Sequence, residues 1–350
     1  MSSGVFDHPW LSGLFGDPEL ARLLSAEAQL AHMLAFERAL TQALVAHGRI
    51  DAQAATDAQA ALSAYRADMA SLRAGTARDG VVVPALVRQL RSATGFPDAI
   101  HTGSTSQDVI DTTLSLTLKR VSEVLAARLL QIVADLDELE DRHSGRQMMG
   151  RTRMQAALPI PVGHRVSAWR APLVRARAQL DQIAEDATPL SLGGPVGTGA
   201  GFGDARSAIA ADMAAALGLR DPGTSWHTDR SGVVAYGDFL SRISGALGKI
   251  GQDVALMSQQ GIAEIKLSGR GASSAMAHKQ NPVLAELLVT LARFNAAQVA
   301  GLHGVLVHEQ ERSGSAWALE WMIIPQMILT TGRGLTATSD LLGQIKDIAG

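Results

Sequence analysis

An all-α subunit organised around long central helices is the fold class this sequence predicts, and three observations predict it. The 350 residues are rich in alanine and leucine and only 4% aromatic, a palette of good helix formers. Apolar residues recur in steps of three and four along three extended segments, which is the spacing of one helix face. Those segments are longer than one subunit of this size can cover, so the bundle is expected to form between subunits.

Before Gln107 the chain reads as shorter helices, Pro18 to His47, Ala52 to Ala70 and Pro84 to Ser92, grouped as an N-terminal helical domain over residues 1–106. From Ile110 the first stripe runs Leu114, Leu118, Val121, Leu125, Leu129, Ile132, Leu136, Leu139. Tyr236, Leu240, Ile243, Leu247, Ile250, Val254 and Met257 form a second, and Leu284, Leu287, Leu288, Leu291, Phe294, Val299 and Leu302 a third. Asn281 reads as an N-cap and Pro282 as the first helical residue of that third helix. A last helix is expected from Gln326 to Ile348. The division is therefore a central domain over 107–325 and a short C-terminal helical remnant over 326–350. Helices of about 30 residues exceed about 40 Å at 1.5 Å per residue. Ser241, Gly245, Gly248 and Gly251 leave narrow patches where another backbone can approach.

Composition excludes several functions. A net charge of -3 without a basic stripe gives no reason to expect nucleic acid. Zero cysteines exclude disulfides, zinc-thiolate sites and thiol nucleophiles. The N-terminus has neither a basic start nor an apolar h-region, and no apolar run of about 18 residues is read. A soluble, cytoplasmic protein is the expectation, with no membrane partner. Gly197 to Gly203 is glycine-rich but lacks dinucleotide spacing, and His308 to Arg312 has arginine where a zinc-protease helix needs its second histidine. Neither a metal nor a cofactor is expected.

Three polar clusters carry the chemistry. Gly271 to Pro282 (GASSAMAHKQNP) is too rich in small residues to build a core, and it offers two hydroxyls, a cation and an amide. It suits a loop that folds over a ligand, though composition alone also fits a surface linker. His101 to Asp108 (HTGSTSQD) lies just ahead of the first long helix, where hydroxyls and free N–H groups favour a carboxylate; an elaborate N-cap explains it equally well. Gly150 to Gln155 (GRTRMQ) brings two guanidinium groups suited to carboxylates, and reads otherwise as a solvated basic turn.

Together the three clusters resemble the motifs of the fumarase/aspartase superfamily, in the same order and over nearly the whole chain to about residue 320. Within it, HTGSTSQDVIDT from His101, SSAMAHKQNPVLAE from Ser273 and ERSGSAWALEW from Glu311 are most similar to the 3-carboxy-cis,cis-muconate cycloisomerase family, lactonising enzymes of protocatechuate breakdown. The resemblance implies that Ser273 is the catalytic serine of a mobile loop, and that Lys279 and Asn281 bind carboxylate. It makes Thr105 and Ser106 anion-binding hydroxyls, and Thr152 and Gln155 substrate contacts. His101 would be the histidine near the substrate, and Arg312 a substrate-binding residue after Glu311. Glu286 matches the glutamate which in many members orients a histidine of the second motif. That histidine is Arg153 here, so the His–Glu relay of the lyases cannot operate, and Arg153 adds positive charge suited to a tricarboxylate. Ala277 stands where the family usually has proline. The alternative within the superfamily is an adenylosuccinate lyase, but Trp317 and Trp321 occupy the places of its phosphate grip. The resemblance further implies a homotetramer with shared active sites. Most members carry a C-terminal helical domain that is expected to be reduced or absent here.

Overall fold

The computed structural model describes residues 4–269, 271, 272, 275, 276 and 281–348. Side-chain caps set the starts of the first helices. Asp17 accepts from Leu20 N–H at 3.1 Å and opens α2 (Pro18–Leu23), which follows the single turn α1 (Ser12–Phe15). Ser25 opens α3 (Ala26–Ala46), Asp51 opens α4 (Ala52–Ala64) and Asp68 opens α5 (Met69–Asp79). Each oxygen satisfies an amide that the helix leaves orphaned. These caps divide two segments expected to be continuous: Pro18 to His47 breaks at Leu24-Ser25, and Ala52 to Ala70 ends at Ala64. The strongly amphipathic α6 (Val83–Ser92) buries Val83, Leu86, Val87 and Leu90.

Five long helices follow. They are α7 (Ser106–Arg142), α8 (Val162–Ala187), α10 (Ser231–Met257), α11 (Val283–His303) and α12 (Gly314–Gln344), with the shorter α9 (Arg206–Leu217) between α8 and α10. The last one corrects the expected Gln326 to Ile348: it begins at Gly314, runs through Pro325, and yields at Ile345 to a strand. The expected division at 325/326 thus falls inside a continuous helix.

Contacts fix the directions. Asp111 meets Arg230 near the starts of α7 and α10, and Trp317 near the start of α12. Ser339 of α12 bonds Asp135 towards the end of α7. α7, α10 and α12 therefore run together from a near end to a far end, while α8 and α11 return. The 37 residues of α7 span roughly 55 Å at 1.5 Å each. Along the bundle Leu118, Leu125, Leu129, Ile132, Leu136 and Leu139 meet Tyr236, Leu240, Leu247, Ile250, Leu288 and Leu291 in one core. A second core joins α3, α4 and α6 to Leu190, Leu192, Phe202 and Ile209. Residues 190–219, expected in the central domain, thus pack with the N-terminal helices.

Two small antiparallel sheets finish the far end: β1 (Gln147–Thr152) with β2 (Gln155–Pro161), and β3 (Ile265–Leu267) with β4 (Ile345–Ile348). One segment corrects the expectation of no long apolar run. Val283–Leu306 is long and apolar enough to cross a membrane, with a mean hydropathy of 1.3. It is the α11 segment, which lays Leu287, Leu288 and Leu291 into the bundle core, and only 28% of that window is buried within one chain.

Candidate active site

At the near end Thr105 is the N-cap of α7, and its N–H donates to Asp108 Oδ2 at 3.1 Å. Asp108 is fully buried and also accepts from the amides of Gly193 (2.7 Å) and Gly194 (2.9 Å), from Ser191 Oγ (3.2 Å) and from His227 Nε2 (2.9 Å). Burial alone would raise the Asp108 pKa. The bond and charge of His227, with the two glycine amides, outweigh it and hold the carboxyl below the ordinary range. Glycine is needed in this strap: a Cβ on Gly193 would meet His227 Cε1 and Ser225 Oγ at 2.9 Å, and Gly194 has φ 68°. The cluster expected to bind an anion is therefore an N-cap and the anchor of the 193–197 strap as well.

Arg312 reaches this end from the chain just before α12. Its Nε donates to Gln107 Oε1 at 2.7 Å, and its Nη2 to Pro195 O at 3.2 Å and Thr105 Oγ1 at 3.4 Å. Thr105 and Arg312, far apart in sequence, are thus brought together, and Ser106 begins the adjacent helix. His101 sits close by in the chain with Nδ1 2.6 Å from Glu37 Oε1.

Behind them lies a buried ionic triad. Arg230 donates to both oxygens of Asp111 (2.9 and 3.1 Å) and of Glu320 (2.6 and 2.7 Å), and stacks over Trp226. Burial opposes its charge, but the two carboxylates raise its pKa above the ordinary value. Trp317 Nε1 donates to Asp111 Oδ1 at 3.1 Å, and Trp321 packs edge-on against Trp317.

Thr152, Arg153 and Gln155 stand at the far end. Thr152 pairs with Gln155, so Arg153 and Met154 form a two-residue hairpin turn with φ of 49° and 67°. Two consecutive residues at φ > 0 are the mark of a type I′ turn, here made without glycine. The basic cluster is therefore the tip of an exposed arm. Arg151 is held by Glu264, at 2.7 Å from Nη2. Arg153 lines a cleft of about 380 Å³ with Arg165, Lys249, Asp253 and Glu264. Asn281 and Glu286 line a neighbouring cleft. The expected capping role of Asn281 is corrected. Its N–H and C=O both bond to Gly271 at 2.9 Å, closing the base of the 271–281 segment, and α11 starts at Val283 with Pro282 before it. Ser273 and Lys279 lie outside the described residues.

One chain thus places Thr105, Ser106 and Arg312 at one end of the bundle and Thr152, Arg153, Gln155 and Asn281 at the other. Sequence reasoning missed Glu37, His227 and the Arg230 triad. The only signal was a cluster of three ionisable residues, His227, Asp229 and Arg230, ahead of an apolar helix. Among the described residues no group of histidines and carboxylates is arranged to hold a metal.

A bundle of long helices with three separated polar motifs at its ends defines the fumarase/aspartase class of lyases, and the chain belongs to it: the model of the lyase family matches residues 17–301. The 3-carboxy-cis,cis-muconate cycloisomerase of Bradyrhizobium diazoefficiens is 36% identical over 341 residues, covering 93% of this chain and 76% of that protein. The nitrosuccinate lyase of Streptomyces davaonensis is 32% identical, covering 99% and 76%. In structure, the 3-carboxy-cis,cis-muconate lactonizing enzyme from Pseudomonas putida superposes with a TM-score of 0.89 at 29% identity, over 96% of this chain and 77% of that one.

Proposed function

We propose that the protein is a cycloisomerase that converts 3-carboxy-cis,cis-muconate to 4-carboxymuconolactone. The observation that carries this reading is the 36% identity to a cycloisomerase across 93% of the chain. The site chemistry supports it, because Trp317 and Trp321 stand where a nucleotide-cleaving relative needs a phosphate grip. Trp317 is buried and spends its N–H on Asp111, and an indole cannot hold a phosphate by charge.

One terminal carboxylate of the substrate adds to the carbon bearing the 3-carboxyl, and the adjacent carbon takes a proton. The nucleophile is part of the substrate, so the protein has to hold the diene curled for ring closure and stabilise the negative charge that collects beside the carbanion. Lys279, Asn281, Thr105, Ser106 and Arg312 serve that second task. Thr152, Arg153 and Gln155 bind the remaining carboxylates, Ser273 delivers the proton and His101 assists in proton handling. A serine acts as an acid only where water is excluded.

The working form is a homotetramer whose sites combine the near end of one subunit with the far ends of others. Two observations support this. Roughly 55 Å of helix separates the two halves of the motif set in one chain. The apolar α11 also leaves much of its length only partly covered within one chain. The test is to supply 3-carboxymuconate, follow the loss of diene absorbance and identify the lactone, with adenylosuccinate and nitrosuccinate offered in parallel. Lactone formation with no AMP release supports the reading. AMP release, or turnover of nitrosuccinate alone, overturns it.

A further inference from the structure

Glu37 lies 64 residues before His101, yet its Oε1 is 2.6 Å from the His101 Nδ1. The Glu37 side chain is 1% exposed and that of His101 12%. The other oxygen, Oε2, is buried without a hydrogen-bond partner among the described residues. A carboxylate withdrawn from water costs several kcal/mol unless it is well bonded, so packing gains nothing from an acid at this point of α3. The surroundings clamp the backbone beside the ring. Thr41, one turn along α3 from Glu37, donates to Ala99 O at 3.3 Å, and Arg91 of α6 donates to Ile100 O at 3.0 Å. The Thr102 hydroxyl donates to Asp98 O. His101 itself is held at φ 60°, a left-handed conformation that a non-glycine residue keeps only where its surroundings dictate it.

We propose that Glu37 is the positioning residue of His101: it fixes Nδ1 as the protonated nitrogen, orients the ring, and leaves Nε2 as the open nitrogen. A carboxylate accepts only, so the bonded nitrogen must carry the hydrogen. The proposal rests on the cycloisomerase reading for its consequence in catalysis. In that reaction the carboxylate oxygen pair forms the C–O bond, the π pair moves to the adjacent carbon, and that carbon takes the Ser273 proton. One proton is consumed per turnover, and the serine oxygen must recover it. An imidazole with a free Nε2 takes a proton from water and passes it on, returning to neutral. With Arg153 in place of the second-motif histidine, Glu37–His101 supplies a different histidine–carboxylate pair from another part of the fold.

The test uses the whole protein with ¹⁵N-labelled histidine, the His101 ring resonances being identified by their loss in His101→Asn. The ring nitrogens should report Nδ1–H in the wild type, because the carboxylate only accepts. In Glu37→Ala they should shift to the Nε2–H form that free imidazoles favour. On 3-carboxymuconate, Glu37→Ala should lose about tenfold or more in kcat with little change in KM, and Glu37→Gln should lose less. A folded Glu37→Ala with wild-type kcat, or with its ring tautomer unchanged, overturns the proposal. If Glu37→Ala does not fold, an Nε2–H ring in the wild type overturns it equally. Absence of turnover by the wild type would sink the cycloisomerase reading instead, while the tautomer measurement still decides the positioning role.

Discussion

The near end of the bundle is densely bonded within one chain, and the far end, among the described residues, is more exposed. At the near end, buried Asp108 collects the glycine strap and His227, and Arg312 is already seated against Gln107, Pro195 and Thr105. At the far end, Thr152, Arg153 and Gln155 ride on an arm whose Met154 and Leu158 are 72% and 73% exposed. The contrast has a physical reading. A buried polar group left unpaired costs about 1–3 kcal/mol, so most polar groups of the near end are paired within the chain, Glu37 Oε2 and His227 Nδ1 being exceptions among the described residues. Exposed apolar side chains cost about 25 cal/mol per Å² left in water, a loss that a second subunit can recover later. On the proposed reading, the bonded near end and the exposed arm suit a site shared between subunits.

The sharpest way to break this comparison is to disable the proposed catalytic serine and the near end separately. Ser273→Ala should lower kcat by about 10²–10⁴-fold, the usual worth of a general acid, while substrate binding persists. Arg312→Ala should be similarly inactive through loss of near-end binding. Co-refolded mixtures of the two should regain turnover, because a mixed assembly contains sites with both residues intact. Mixtures that form mixed oligomers yet stay inactive would show that the two residues do not share a site across subunits.

A smaller effect sharpens the account of the near end. Arg230→Met strands Asp111 and Glu320 in the interior and should cost about 3–5 kcal/mol, read as a lower urea midpoint. A wild-type midpoint would mean that the triad is not what stiffens this end. At the far end, Arg153→Met should raise KM about tenfold, the worth of one charged hydrogen bond at about 1.5 kcal/mol, and leave kcat nearly intact. A fall in kcat with unchanged KM would move Arg153 from binding to chemistry.

The smallest effect concerns acid. The Asp108 pKa is lowered from an ordinary 3.8, so the unfolded chain takes up this proton first as the pH falls. The stabilisation is complete above the unfolded value and is lost as the pH drops through the folded one. Urea midpoints measured from pH 5 to 3 should therefore fall more steeply for the wild type than for Asp108→Asn. Parallel curves would remove Asp108 from the account of acid stability.

Much of this was legible in the sequence where the signal is local. The stripes from Leu114 to Leu139 and from Tyr236 to Met257 announced α7 and α10, because a helix writes its own period into the chain. The expected last helix starts at Gln326, just after Pro325; proline usually marks a boundary, yet α12 runs through it. Asn281-Pro282 has the form of a helix start, but pairing with Gly271 took both backbone groups of Asn281 first. GRTRMQ showed charge and no periodicity, so a hairpin with two residues at φ > 0 gave no sign of itself.

The sequence by itself determined the all-α class, the positions of the core stripes, the three polar clusters and the absence of thiol chemistry. Each is a property of residue type and of spacing within a few turns. Only the tertiary structure decided that Arg312 would reach Thr105, that Glu37 would hold His101 across 64 residues, and that the motifs would stand at opposite ends of the bundle. Such pairings depend on which helix faces pack together and which way each helix runs. Directions and pairings follow from turns and from contacts between distant segments, and a helical period of 3.6 residues carries no record of them.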